Sequence, residues 1–181
     1  MERKDLEQAA SLPNPEHAWK TLLLTNDWIR HADAKAGVTL AFTGALGTIL
    51  FNLVKESAPR SVAFDVIVVL ASSLLVLTAG LCGWTLTPRA TDRDSDPTMI
   101  SRIFFGSISK NFDGDRRRYA EALEVLTADQ RELVREIAHQ VHVNARIATV
   151  KMKFATFAIR SALAASACLA IVVIMVGIST F

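Results

Sequence analysis

The sequence predicts an all-α membrane protein with three transmembrane helices, two of them extended into a cytoplasmic helical stalk or bundle. Three observations carry this. Three long runs contain no charged residue: 38–54, 66–86 and 161–181. Basic residues are distributed unequally between the connecting segments. Long stretches without glycine or proline join the apolar runs to polar sequence.

The first run, Val38 to Val54, has 17 residues, the short end of what crosses a hydrocarbon core about 30 Å thick. Ala34 and Ala36 extend it if Lys35 snorkels to the interface. The expected span is therefore 36–54. The second run, Val66 to Leu86, and the third, Ser161 to Phe181, have 21 residues each, with Asp65 at the edge of the second. The expected spans are 62–86 and 161–181. Three uncharged runs of this length rarely fit one small soluble core. The chain has 181 residues, enough for a single domain, 1–181.

Orientation follows from charge. The first loop, 55–61, carries only Lys55 and Arg60, two of the 20 basic residues. The other 18 precede span one or lie between spans two and three. The positive-inside rule then puts the N-terminal helix (1–35) and the region 87–160 in the cytoplasm, and the C-terminus in the periplasm. Met1 to Ala10 is charged and lacks the apolar core of a signal peptide. Cys82 and Cys168 both lie in apolar runs, which argues against a disulfide framework.

Asn14-Pro15-Glu16 reads as an N-cap, a proline at the first helical position and an acidic first turn. A helix is expected from Pro15 to about Val54. Thr127 with Gln130 fits a capping box. With no glycine or proline from 128 to 176, one helix of roughly 80 Å can run from Ala128 to the C-terminus.

Its polar part shows a heptad seam: Val134, Ala138, Val141, Ala145, Ala148, Met152, Ala155 and Ile159. The N-terminal helix offers Ala18, Leu22, Thr25, Ile29, Ala32, Ala36 and Thr39. The two stalks are expected to form a parallel or antiparallel bundle, within or between chains; within a single chain they are expected side by side, oppositely directed in sequence. Gly37, Gly44 and Gly47 are expected to permit close helix contacts. Pro88, Pro97 and Gly114 punctuate the connecting region. A short helix is expected from Asp115 to about Leu126, with Tyr119, Leu123 and Leu126 on one face.

Chemistry is scarce. There is no nucleophile elbow, no metalloprotease helix motif and no phosphate-cradling glycine loop. Asp92, Asp94 and Asp96 begin like a calcium loop. However, Pro97 stands where the turn glycine belongs and Ile103 where the closing glutamate belongs. His139 and His142 share a helix face without a third ligand, and read as surface histidines. An enzyme is not expected, nor a metal, a cofactor or nucleic acid as partner. Arg146, Lys151, Lys153 and Arg160 crowd one helix near the membrane. They suit either anionic lipid headgroups or a phosphate-bearing ligand. Asp33 and Lys35 lie at similar depth on the other stalk.

Four features in order resemble one family: Ala32-Asp33-Ala34-Lys35-Ala36 opening span one, Thr87-Pro88-Arg89 closing span two, Ile103-Phe104-Phe105-Gly106 followed by Tyr119, and Lys153-Phe154 before span three. The sequence from about 26 to 181 resembles the transmembrane effectors of Pycsar, a bacterial anti-phage system. Ala34 and Arg102 depart from the commoner residues at their positions.

The resemblance implies an inner-membrane defence effector. A partner pyrimidine cyclase would make its ligand, cyclic CMP or cyclic UMP. The nucleotide would activate the protein to impair the membrane, stopping the infected cell. With the chemistry above, the resemblance gives Asp33, Lys35, Arg89, Phe105, Tyr119, Arg146 and Lys153 as nucleotide-binding residues. Three spans make a poor pore alone, so a homo-oligomer in contact with membrane lipid is expected. The competing expectation is a passive oligomeric scaffold without ligand gating.

Overall fold

The computed structural model describes residues 13–56, 61–88 and 101–179. These form five helices and no strand: α1 (Pro15–Glu56), α2 (Val62–Leu86), α3 (Phe105–Asn111), α4 (Arg116–Ala128) and α5 (Gln130–Ser179). α1, α2 and α5 are each long and apolar enough to cross a membrane. The chain forms two compact units. One comprises Met1–Trp28 and Pro88–Ala148; the other comprises Ile29–Thr87 and Thr149–Phe181.

α1 begins as expected. The Asn14 Oδ1 accepts the Glu16 N–H at 2.9 Å, and Pro15, with no N–H to leave orphaned, takes the first helical position. α2 is capped by Ser61, whose Oγ accepts the Phe64 N–H at 3.2 Å, and ends at Thr87 before Pro88. Its C-terminal carbonyls are partly satisfied by Thr87, which donates to the Gly83 carbonyl through both its N–H and its hydroxyl.

The apolar unit is a three-helix bundle. Leu46 and Leu50 on α1, Ala71 on α2 and Leu169 on α5 form one buried cluster. Ala36, Cys82 and Ala158 form a second. Residue numbers therefore rise together on α1 and α5 and fall on α2. α1 and α5 run parallel and α2 antiparallel to both. This corrects the expectation that the stalk helices are oppositely directed: the first and third of three successive spans necessarily cross in the same sense.

The buried seam of this unit is small and hydroxylated. Thr39, Thr43, Thr78, Thr85 and Ser161 are buried beside Ala36, Ala71, Ala155, Ala158, Ala162 and Ala165. Each threonine hydroxyl donates to a carbonyl four residues back. Ser161 Oγ instead donates to the Leu74 carbonyl across the α2–α5 interface at 3.0 Å. Large apolar residues face outward, among them Phe51, Val62, Val69, Val76, Leu163 and Ile174. Apart from the leucines of the first cluster, this seam puts small residues inside and large ones outside, the arrangement of helices solvated by lipid. The glycines of span one do not mark this contact. A Cβ on Gly37, Gly44 or Gly47 would meet nothing within 4 Å.

On α1 the expected seam holds: Leu22, Ala32, Ala36 and Thr39 are buried and Ala18, Thr25 and Ile29 half-buried. On α5 it holds in part: Ala148 and Ala155 are buried and Val134, Val141, Met152 and Ile159 half-buried. The buried positions are Ile137, Gln140, Val143, Ala148, Lys151, Ala155 and Ala158, whereas Ala138 and Ala145 are exposed. The cap before α5 also differs. Asp129, not Thr127, accepts the Arg131 and Glu132 N–H groups, at 2.9 and 3.3 Å. Thr127 lies inside α4, its hydroxyl turned back to the Leu123 and Glu124 carbonyls.

The polar unit carries α3, α4 and the N-terminal parts of α1 and α5. Gly114 takes a φ of 73°, a left-handed turn that favours glycine. The next residue, Asp115, caps α4 by accepting the Arg118 N–H at 2.9 Å. Tyr119, Leu123 and Leu126 share the inward face, with Leu126 fully buried.

Candidate functional site

The polar unit holds an aromatic cluster and an ionic clamp built on one short segment. Phe104 caps α3 and its ring lies 4.8 Å from that of Phe105. Phe112, just past the C-terminal end of α3, meets Tyr119 edge to face at 5.3 Å, and the Arg118 guanidinium lies 5.7 Å from the centre of the Phe112 ring. A Cβ on Gly106 would come within 2.8 Å of Phe104 Cε1, so glycine there leaves room for the ring.

Arg102 ties this segment to α5. Its backbone N–H donates to Glu136 Oε1 at 2.6 Å. Its Nη2 donates to Glu132 Oε1 at 2.7 Å and to Glu136 Oε2 at 3.5 Å. The Glu132 hydrogen bond chiefly holds the Arg102 guanidinium above its ordinary range. The charges of Glu136 and Glu132 add to this, and partial burial opposes it. Tyr119 Oη donates to the Arg102 carbonyl at 3.2 Å. Tyr119→Phe keeps the ring contact and removes this bond. The expected loss is about 1 kcal/mol, read as a small drop in the thermal midpoint with unchanged helicity.

A second polar feature of this unit joins α1 to α5. Gln140 Nε2 donates to Asn144 Oδ1 at 2.8 Å, and Asn144 Nδ2 donates to Asn26 Oδ1 at 2.7 Å. In the apolar unit, Lys151 Nζ donates to Asp33 Oδ1 at 2.6 Å. The Lys151 side chain is 6% exposed and that of Asp33 36%.

The sequence-predicted residues divide between the units. Phe105, exposed and with its ring tilted against that of Phe104, and half-buried Tyr119 belong to the aromatic cluster; Arg146 lies on the exposed face of α5 in the same unit. Asp33, Lys35 and Lys153 belong to the apolar unit, with both lysines exposed. Asp33 meets Lys151, which the predicted set omits. Arg89 lies outside the described residues, as do Asp92, Asp94 and Asp96. Among the described residues no group of three His, Cys, Asp or Glu could hold a metal ion.

Sequence reasoning also missed Arg102. The available signal was the pair Glu132 and Glu136, like charges four apart on one helix face, which call for an external cation.

The family model described as Pycsar effector protein domain matches residues 17–178. The Pycsar effector protein PtPycTM of Propioniciclava tarda is 30% identical over 161 residues, covering 89% of this chain and 79% of the relative. No solved structure matches.

Proposed function

From the premise that this chain belongs to the Pycsar effector family, we propose that it is an anti-phage effector of the bacterial inner membrane, gated by cyclic CMP or cyclic UMP from a partner pyrimidine cyclase. The observation that carries the gating reading is helix continuity. α1 (42 residues) and α5 (50 residues) each begin in the polar unit and end in the apolar one without interruption. A ligand that favours one arrangement of the polar unit can then bias the bundle through two continuous helices. To move the population from 1:99 to 99:1, the nucleotide must bind the active state about 10⁴-fold more tightly than the resting one.

From the polar unit, Phe105 and Tyr119 are proposed to stack against the pyrimidine and Arg146 to pair with the cyclic phosphate. Asp33, Lys35 and Lys153, residues of the apolar unit, are carried over as candidate contacts by the family resemblance. Arg89 enters on the family resemblance alone. The N-terminus is cytoplasmic and the C-terminus periplasmic in this reading. The active form is a homo-oligomer that impairs the membrane.

The test is membrane potential in cells expressing the protein with active or inactivated cyclase. Depolarisation is expected only with the active cyclase, and its loss in Arg146→Ala and Lys153→Ala at equal membrane abundance. Full depolarisation in both variants sinks the site assignment. A steady potential, with protein in the membrane and nucleotide in the cell, sinks gating.

A further inference from the structure

An apolar groove of about 390 Å³ lies between α2 and α5 in the apolar unit, lined by Leu77, Gly80, Leu81, Trp84 and Phe154. That volume is in the range of small-molecule sites, about 300–1,000 Å³. The groove is open at position 80, where a Cβ would meet nothing within 4 Å. Trp84 and Phe154 close one end, their rings 6.0 Å apart, and Trp84 is 59% exposed. Leu77 to Trp84 spans about 10 Å along a helix. Trp84 is three residues from Thr87, the cap where α2 ends, the level at which tryptophan favours the membrane interface.

The charges beside the groove are of one sign. Lys153 immediately precedes Phe154, which meets Trp84. Arg160 immediately precedes Ser161, which bonds the Leu74 carbonyl of α2. Both cations are therefore on the flank adjoining the α2–α5 seam, both are exposed, and neither meets a described carboxylate. α5 has no acidic residue after Glu136.

We propose that this groove binds an anionic phospholipid, its acyl chain against Leu77, Gly80 and Leu81 and its headgroup phosphate toward Lys153 at the Trp84 end, with Arg160 snorkelling toward that end from the level of Leu77. An apolar cleft opening on the lipid-facing surface takes a hydrocarbon chain, and two cations at its flank select the headgroup by charge. The inference requires only that the bundle spans a bilayer; Lys153 is also a proposed nucleotide contact, so the test is placed on Arg160 and Gly80, which the nucleotide reading does not use.

The experiment uses the full chain with Trp19→Phe and Trp28→Phe, leaving Trp84 as the fluorophore. It is reconstituted in phosphatidylcholine vesicles doped with chain-brominated phosphatidylglycerol or chain-brominated phosphatidylcholine. Quenching by the anionic lipid is expected at about five-fold lower mole fraction for each cation engaged, following from about 1 kcal/mol per basic residue. Arg160→Gln reduces that preference about five-fold and Arg160→Lys retains it. Gly80→Leu fills the groove and weakens quenching by both lipids. Circular dichroism confirms the helicity of each variant.

Equal quenching by the two lipids overturns the proposal, as does a preference unchanged in Arg160→Gln or quenching unchanged in Gly80→Leu. Loss of quenching as protein density rises at constant lipid composition overturns it in favour of a second copy covering the groove.

Discussion

Asp33→Ala is expected to destabilise the apolar unit by about 3 kcal/mol, the low end of the range for removing one partner of a buried ion pair. The low end applies because the Asp33 side chain is 36% exposed and partly screened, whereas Lys151, at 6%, has little solvent to turn to. The variant leaves the buried Lys151 ammonium without its carboxylate partner. The measurement is the thermal midpoint in detergent, with helicity followed by circular dichroism. Asp33→Leu combined with Lys151→Met is expected to recover most of the loss, because matched apolar replacement of a buried pair is commonly neutral or better.

The double variant also separates two roles. A stable double variant that still depolarises cells assigns Asp33 a purely structural part. A stable one that does not depolarise leaves the pair a part in ligand response. An unchanged midpoint in Asp33→Ala would mean that Lys151 reaches water or lipid phosphate unaided, and would remove the ion pair from the account of what holds α1 to α5.

The pair also explains how far the fold was legible in the sequence. Uncharged runs, an N-capping Asn14 before Pro15 and the long interval without helix breakers were enough to give three long apolar helices, two of them continuous with polar sequence, because each is a local signal. The α1 seam was legible for the same reason: its buried positions are small or apolar throughout.

The α5 seam was legible only in part, because three of its inward positions are polar: Gln140 and Lys151 are buried and Asn144 half-buried. Asn144 and Lys151 score as surface residues in any apolar pattern and become interior only through Asn26 and Asp33, each 118 residues away. Selecting small residues instead moved the predicted seam onto Ala138 and Ala145, which the structure leaves exposed. Thr127 failed as a cap for a related reason. Asp129, two residues later, offers a carboxylate that accepts two N–H groups, and a charged acceptor at a helix N-terminus is the stronger partner. Of the candidate site, the aromatic residues were legible as a motif. The clamp that positions them was not, since it joins residues 30 and 34 apart.

Arg102→Ala is expected to release that clamp at a cost of about 2–3 kcal/mol, the scale for hydrogen bonds to charged groups. The guanidinium contacts to Glu132 and Glu136 disappear outright. Glu136, whose side chain is 16% exposed, then faces Glu132 one turn away with no cation between them. The backbone bond from residue 102 to Glu136 survives in principle. Without the guanidinium it must hold a carboxylate repelled by its neighbour.

The consequence is local. α3 has seven residues, too few to persist without tertiary support, and none of them is buried. Amide exchange across Phe105–Asn111 is expected to accelerate about 30-fold or more, as follows from about 2 kcal/mol of lost protection. Exchange within α2 should not change. If nucleotide contacts include Phe105 and Tyr119, the variant should also require more cyclase product for the same depolarisation, because the ligand must now order the segment it binds. Arg102→Lys tests geometry against charge. A lysine can meet one carboxylate but lacks the fork that spans two, so partial protection is expected. Exchange unaltered in Arg102→Ala would show that the aromatic contacts alone hold α3, leaving the three bonds to α5 without a structural role.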